Sequence, residues 1–230
     1  MKIAVIGAME QEVEILRGMI GTPIVSTIGG CEFIEGDIDG REVVLAKSGI
    51  GKVNAAIATT LVIQQFKPDI ILNTGSAGGF GEALEIGTVV ISDEVTHHDV
   101  DVTAFGYVPG QVPGMPETFR SDEKLIAIAK IAVEEIGQHP HATGLIASGD
   151  VFMSDRDRVA DVRKLFPTMI AAEMEAAAVA QVCHQFGTPF VVIRALSDIA
   201  GKDSSISFDE FLPIAAKHSS EIVMQVISKL

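Results

Sequence analysis

Asp69-Ile70-Ile71-Leu72-Asn73-Thr74-Gly75-Ser76-Ala77-Gly78-Gly79, residues 69–79, is the stretch that decides the fold. Its uninterrupted apolar run predicts a strand over Asp69–Asn73 that is buried on both faces. The glycines and small polar residues that follow predict a turn at Thr74–Gly79. Before it, Asn54–Gln65 is an Ala-rich helical pattern stopped ahead of Pro68. Working outward, the same unit recurs. Lys2–Ile6 predicts a buried strand ending at Gly7, and Glu10–Met19 a helix. Glu32–Asp37 and Glu42–Lys47 bracket Asp39-Gly40, a strong hairpin signal. Thr88–Ile91, Thr143–Ala147, Met169–Ala172 and Phe190–Leu196 predict further strands. Asp122–Ile136, Arg156–Leu165, Glu175–Phe186 and Phe208–Lys229 predict helices. Short apolar strands alternating with helices predict an α/β fold with a sheet covered on both faces. The early hairpin makes that sheet mixed.

Composition narrows the function classes. The 230 residues carry 17 Lys plus Arg against 31 Asp plus Glu, a formal net charge of −14. Folding to roughly 10,000 Å² of surface would bury about 70% of the extended chain, so neither a disulfide nor a metal is needed to hold a core. A chain rich in Ala, Ile and Val is not disordered. The acidic balance, with one Tyr and no Trp, argues against nucleic-acid binding. No apolar run reaches the roughly 18 residues of a membrane helix. Ile3–Met9 is too short for a signal peptide and runs into Glu10 and Glu12. Cys31 and Cys183 are isolated and suggest neither a disulfide framework nor a metal knuckle. A cytoplasmic enzyme without cofactor or metal is the expectation.

In sheets of this class ligands bind beyond the carboxyl ends of the strands. That rule selects Gly7–Glu12, Thr74–Gly79, Ser148–Met153, Glu173–Glu175 and Ser197–Asp198. Several familiar motifs fail there. Gly49-Ile50-Gly51-Lys52 would need Gly at 46 and Ser or Thr at 53 to be a phosphate loop, and these are Ala46 and Val53. A dinucleotide fingerprint from Gly49 would need Gly at 54, which is Asn54. Lys52 therefore reads as a helix-start or surface lysine. His97 and His98 are adjacent, so they point to opposite faces of a strand and read as solvated or loop histidines. Ser76 lacks the glycine pattern of a nucleophile elbow.

Three carboxylate-bearing stretches remain, each just past a strand. Glu12 stands between Glu10 and Glu14, so a solvated acidic helix face explains it as readily as a functional role. Glu173-Met174-Glu175 opens a helix and could serve only its dipole; residues two apart do not share a helix face, so the two glutamates are not expected to reach one ligand. Ser197-Asp198 follows the most apolar strand and could merely cap a helix. Taken together, carboxylates without metal, triad or cofactor motif suggest glycosyl chemistry. Cleavage at a sugar C1 needs one acid for the leaving group and one carboxylate to activate water.

Segment 99–116 is unusual. Gly and Pro punctuate it, yet it carries Val102, Phe105, Tyr107, Val108, Val112, Pro113 and Met115. A loop packed on its own domain or a subunit contact closing over a ligand both account for it.

The chain resembles the bacterial 5'-methylthioadenosine/S-adenosylhomocysteine nucleosidases from Met1 almost to Leu230. The resemblance rests on Gly7-Ala8-Met9-Glu10-x-Glu12-Val13, Ser48–Val53, Asn73–Gly79, Asp101–Tyr107, Ser148-Gly149-Asp150-x-Phe152, Glu173–Ala176, Arg194–Asp198 and Ser207–Phe211. It implies one nucleosidase domain over 1–230, with the three-layer α/β/α fold of nucleoside phosphorylases around a central mixed, twisted sheet. It implies hydrolysis of the adenine–ribose bond of methylthioadenosine and S-adenosylhomocysteine. Glu12 would activate water, Asp198 would protonate adenine N7, and Glu175 would bind the ribose hydroxyls with Met174 against the sugar. Phe152, its backbone and its neighbours Val151 and Met153 would recognise the base. Ser76, Gly78, Glu173 and Ser197 would line the site, and Met9, Ile50 and Phe208 would form the pocket for the 5'-thioalkyl group. A homodimer is implied, in which Val102, Phe105 and Pro113 reach the site from the partner subunit.

The implied roles have physical requirements. Asp198 needs burial or a proton relay, Glu12 needs reach to a water, and Glu175 at a positive helix end is expected to be favoured as the anion. Three rivals stay open: a phosphorolytic relative, a hydrolase of futalosine-type nucleosides, and a silent adenosine-binding protein. Phosphorolysis would want an arginine where Thr74 stands, and Glu12 would repel phosphate.

Overall fold

A computed structural model of the chain describes every residue except Glu82 and Asp203, and every side chain except those two and residues 204–207. The Ser207 side chain, part of one quoted motif, therefore lies outside the described residues. The elements run β1 (Lys2–Gly7), α1 (Glu10–Met19), β2 (Gly21–Ile28), β3 (Cys31–Ile38), β4 (Arg41–Lys47), α2 (Lys52–Leu61), a π-helical turn (Val62–Phe66) and β5 (Ile70–Gly79). They continue with β6 (Val89–His97), a 3-10 turn (Thr103–Phe105), β7 (Phe119–Arg120), α3 (Glu123–Ile136), β8 (His141–Ser148), α4 (Arg156–Leu165), β9 (Met169–Glu173), α5 (Ala176–Phe186), β10 (Phe190–Ile199) and α6 (Ser204–Lys229).

The sheet is mixed, as expected. β1 pairs in parallel with β4 and β5, and β5 with β10, while β10 meets β6 antiparallel. Because β10 contacts both β5 and β6, and β5 also touches β9, strands β5, β9, β8, β6 and β10 close on themselves. From that ring β1, β4, β3 and β2 run on as an open sheet. Side-chain alternation divides the strands between two cores. Ala4, Ile6, Ile71 and Val192 pack with the Ala-rich faces of α2 and α5. Ile3, Val5, Leu72, Val191 and Ile193 pack with α1, α3 and α6. Helices therefore cover both faces, giving three layers. The chain exposes 9958 Å², in line with the size scaling. Among the described residues no helix is long and apolar enough to cross a membrane.

The hairpin turns where expected, with positive φ at both Asp39 (51°) and Gly40 (81°). Strand β2 was not anticipated. It lies at the sheet edge with nearly every residue exposed, so no burial period marks it, and its Pro23 is tolerated only at an edge.

Two larger corrections bear on function. Thr74–Gly79 is not a turn but the second half of β5, paired to β10 and β9. Likewise Ser197 and Asp198 do not cap a helix: they belong to β10, where the register slips between Leu196 and Asp198. A bulge of this kind re-aims a side chain. The glycines of β5 let polar groups approach its backbone. A Cβ on Gly75 would collide with the Arg194 and Glu12 side chains, and one on Gly78 would sit 3.1 Å from Asp198 Oδ2.

Candidate active site

The carboxyl ends of β1, β5, β9 and β10 open on one cavity of about 390 Å³. Glu12, Glu173, Glu175 and Asp198 all line it, with Ser76, Gly78 and Ser197. Met9, Ile50, Phe152, Met174 and Phe208 supply its apolar wall.

Glu12 is separated from its acidic neighbours by the helix itself, since residues two apart lie on opposite sides. Glu10 stays at the surface, bonded to Arg17 at 2.5 Å and Lys47 at 2.8 Å, and Glu14 is exposed. Glu12 is buried. Its Oε2 accepts the Ala8 and Met9 N–H groups at 2.9 and 3.1 Å, the second being a reach back to the helix N-cap. Its Oε1 accepts the Ser76 N–H at 2.9 Å and the Ser76 hydroxyl at 3.0 Å. Two strand ends thus fix both carboxylate oxygens.

Glu173 and Glu175, separate in sequence expectation, meet at one cation. Arg194 is fully buried, and its Nη2 lies 2.5 Å from Glu173 Oε2, 2.9 Å from Asn73 Oδ1 and 3.4 Å from Glu175 Oε2. Its Nη1 is 4.0 Å from Glu12 Oε1. The helix-face argument did not apply, because Glu173 ends β9 while Glu175 is the N-cap of α5. Glu173 does the capping: its Oε2 accepts the Glu175 and Ala176 N–H groups at 3.0 and 2.8 Å, and its Oε1 accepts the Ser148 hydroxyl. Both of its oxygens are engaged within the chain. Glu175 turns its Oε1 to the Gly51 N–H at 2.9 Å.

Burial opposes the Arg194 charge, but Glu173, Glu175 and Glu12 outweigh it and hold the guanidinium pKa above its ordinary value. Glu175 moves the other way from expectation. Burial first, then the Glu173 charge, push it up to about 8, against the pull of Arg194 and the Gly51 N–H. The helix end does not rescue the anion in the free enzyme.

Folding therefore makes Glu175 hold a proton that the unfolded chain releases near pH 4.5. The contribution of Glu175 to stability is expected to fall as pH rises from there through the folded value near 8. Chemical denaturation at pH 5 and pH 8 checks this, and Glu175→Gln should flatten the difference. An equal pH dependence in the variant would refute the assignment.

Asp198 is buried beside Ser197, whose hydroxyl lies 3.0 Å from Asp198 Oδ1. At this bulge Asp198 lines the same cavity as Glu12.

Other expected residues fall elsewhere. Val151 and Met153 are not among the residues lining the cavity; they pack with Phe80, Val159 and Phe166. Phe152 meets Phe208 edge-on at 5.7 Å. Val102, Phe105 and Pro113 do not reach the cavity of their own chain. Phe105 is 81% exposed, on the 3-10 turn of segment 99–116. His97 and His98 are not solvated but buried, His97 facing Gln181 at 3.0 Å. Lys52 does begin a helix, but its ammonium pairs with Asp99 at 2.6 Å. The donors that a phosphate loop would offer are taken by carboxylates: Gly51 N–H by Glu175, Lys52 N–H by Asp150, Lys52 Nζ by Asp99.

The sequence alone assigns Arg194 no role. A lone arginine inside an apolar strand was the available signal. Replacing it with Met would leave three buried carboxylates around an apolar group. A loss of about 3–5 kcal/mol is expected, read as a lower urea midpoint. A midpoint shift below 1 kcal/mol in equivalent would contradict the buried-cation account.

Comparison with known proteins agrees with this geometry. A profile of the phosphorylase superfamily matches residues 2–228. A 5'-methylthioadenosine/S-adenosylhomocysteine nucleosidase of Lysinibacillus sphaericus (strain C3-41) is 64% identical over 230 residues, covering 100% of both chains. The crystal structure of the nucleosidase of the same name from Neisseria meningitidis, in complex with methylthio-immucillin-A, has a TM-score of 0.98. It is 52% identical and covers 100% of this chain and 99% of that one. A futalosine hydrolase of Helicobacter pylori is also similar, with a TM-score of 0.94, 33% identity and coverage of 100% and 98%.

Proposed function

The chain belongs to the 5'-methylthioadenosine/S-adenosylhomocysteine nucleosidases of the phosphorylase superfamily, and on that premise we propose a division of labour among its carboxylates. The enzyme hydrolyses the N-glycosidic bond of both thioether nucleosides, releasing adenine with methylthioribose or S-ribosylhomocysteine. The observation that supports the mechanism is the convergence of Glu12, Glu175 and Asp198, from three chain segments, on one cavity.

Asp198 gives its proton to adenine N7 as the C1'–N9 bond breaks. A water held by Glu12 attacks C1' and passes its proton to that carboxylate. Glu175 accepts the ribose hydroxyls and, once ionised, opposes the positive charge that develops on the sugar. Hydroxyl donors of the bound ribose favour the anion that burial disfavours in the free protein. Phe152 covers the base, Met174 packs against the sugar, and Met9, Ile50 and Phe208 enclose the apolar 5' group. Glu173 and Arg194 hold the acids in place.

Glu12 also bears on the nucleophile. A carboxylate at the attack side repels phosphate and suits water. Chromatographic assay of methylthioadenosine cleavage, with and without phosphate, tests this. Free methylthioribose in both conditions is expected. A sugar 1-phosphate formed only with phosphate would make the enzyme a phosphorylase. Cleavage confined to a futalosine-type nucleoside would favour the Helicobacter pylori relative's substrate.

The proposal includes a single nucleosidase domain over residues 1–230 and a cytoplasmic location, supported by two unpaired buried thiols, Cys31 and Cys183. It also includes a homodimer. The exposed apolar residues Val53, Ile57, Phe105 and Val108 support that part. The partner subunit's Val102, Phe105 and Pro113 would then close the open side of the cavity. Sedimentation should give twice the chain mass, and Phe105→Ser should raise KM more than it lowers kcat. A monomer with full activity would remove the partner's residues from the site.

A further inference from the structure

We infer that Lys52 is a positioning residue for Glu175: with Asp99 and Asp150 it forms a clasp that keeps the Gly51 N–H on the Glu175 carboxylate and ties that group to segment 99–116. The inference rests on the reading of Glu175 as the ribose-binding carboxylate.

The glycine-lysine motif at Gly49–Lys52 matches no ligand loop, and the chemistry above does not use it. Its bonds form a closed circuit. The Lys52 N–H donates to Asp150 Oδ1 at 2.8 Å, Lys52 Nζ donates to Asp99 Oδ1 at 2.6 Å, and the Asp150 N–H donates to Asp99 Oδ2 at 2.9 Å. The start of α2 and the loops that follow β6 and β8 are thereby joined. The lysine and Asp99 side chains are only 19% and 24% exposed.

Helix α2 explains why the clasp is needed. Its N-cap is Gly51, which has no side chain to cap it, and its first turn holds no acid. Asp150 supplies the missing acceptor from another segment, and a cap of this kind fixes where the first turn sits. One residue earlier in the chain, the Gly51 N–H donates to Glu175 Oε1 at 2.9 Å. One residue beyond Asp99, Val100 accepts the Gly110 N–H at 2.9 Å, which pins the base of segment 99–116.

Without the Lys52 ammonium, Asp99 loses its cation, and the start of α2 stays tied to Asp99 only through the backbone N–H groups of Lys52 and Asp150. That looser tie lets the Gly51 N–H drift from Glu175, and a backbone donor that favours the anion is lost. The charged groups around Glu175 are Glu173 from β9, Arg194 and Asp198 from β10 and Glu12 from α1. Those around Lys52 are Asp99, Asp150 and, at the end of β6, His97 and His98, both held toward neutrality by burial. Removing Lys52 leaves the first set in place, so the change at Glu175 comes through the Gly51 N–H.

The test compares Lys52→Met, Lys52→Arg, Asp99→Asn and Glu175→Gln in the full-length enzyme, with folding checked by circular dichroism. Lys52→Met is expected to lower kcat about tenfold to a hundredfold with KM within about threefold, as a misplaced group does. The acidic limb of its kcat/KM profile should move to higher pH, and Lys52→Arg should restore both. Asp99→Asn should act in the same direction, and the Lys52→Met/Asp99→Asn double variant should be no worse than either single one. Wild-type kcat and an unmoved profile in Lys52→Met, with Glu175→Gln slow, overturn the clasp alone. A slow Lys52→Met whose profile does not move also overturns it, since that is a merely structural defect. Full turnover in Glu175→Gln overturns both the clasp and the ribose assignment.

Discussion

Glu12→Gln is expected to lower kcat by about 10³- to 10⁴-fold, the upper range for loss of a general base. The amide cannot take the proton of the attacking water, and it removes a negative charge from beside the forming cation. The substitution also carries a structural cost that must be measured separately. Ala8, Met9 and Ser76 all aim donors at the two carboxylate oxygens. An amide has one oxygen, so whichever way it turns, its NH₂ faces at least one of those donors. About 1–3 kcal/mol of stability should go with that lost bond. Single-turnover rates of adenine release and a denaturation curve separate the two effects. Turnover within tenfold of the parent, in a folded variant, would remove Glu12 from the chemistry.

Asp198→Asn is expected to cost about 10²- to 10⁴-fold in kcat, with little loss of stability. Here the amide oxygen can still accept the Ser197 hydroxyl, now 3.0 Å from Asp198 Oδ1. What it cannot do is give up a proton to N7. The defect should therefore depend on the leaving group. With a riboside whose leaving group departs as a stable anion, the Asp198→Asn deficit should shrink to less than about tenfold. The Glu12→Gln deficit should persist with that substrate, because water must still be activated. Equal deficits for Asp198→Asn with both leaving groups would mean that Asp198 orients the base without protonating it.

The legible part of the site was its placement. Five segments stand out because each follows an apolar strand, and four of them contribute to the cavity as expected: 7–12, 148–153, 173–175 and the β10 end at 197–198. The fifth, 74–79, contributes too, though as strand rather than turn. Small and glycine residues look like a turn in a linear reading. Here they allow Glu12, Arg194 and Asp198 to lie against the β5 backbone. The same ambiguity hid the end of β10. Ser197-Asp198 has the form of a cap, and only its pairing with Gly78 shows a bulged strand.

Local patterns by themselves determined the alternation of strands and helices, the hairpin at Asp39-Gly40, the mixed sheet and the set of candidate acids, because these depend on residues close in the chain. The family motifs determined the substrate class for the same reason: each is a short run. Only the tertiary structure decided what each acid does. Glu12, Asn73, the Glu173/Glu175 pair and Arg194 are far apart in sequence, yet they share one buried space. There, desolvation and like charges raise Glu175 to about 8, where its helix position alone argued for an anion. Charge interactions in a low-dielectric interior are set by distance through space. Sequence order carries no measure of that distance, so the cap at Glu173, the cation at Arg194 and the clasp at Lys52 became visible only in the folded chain.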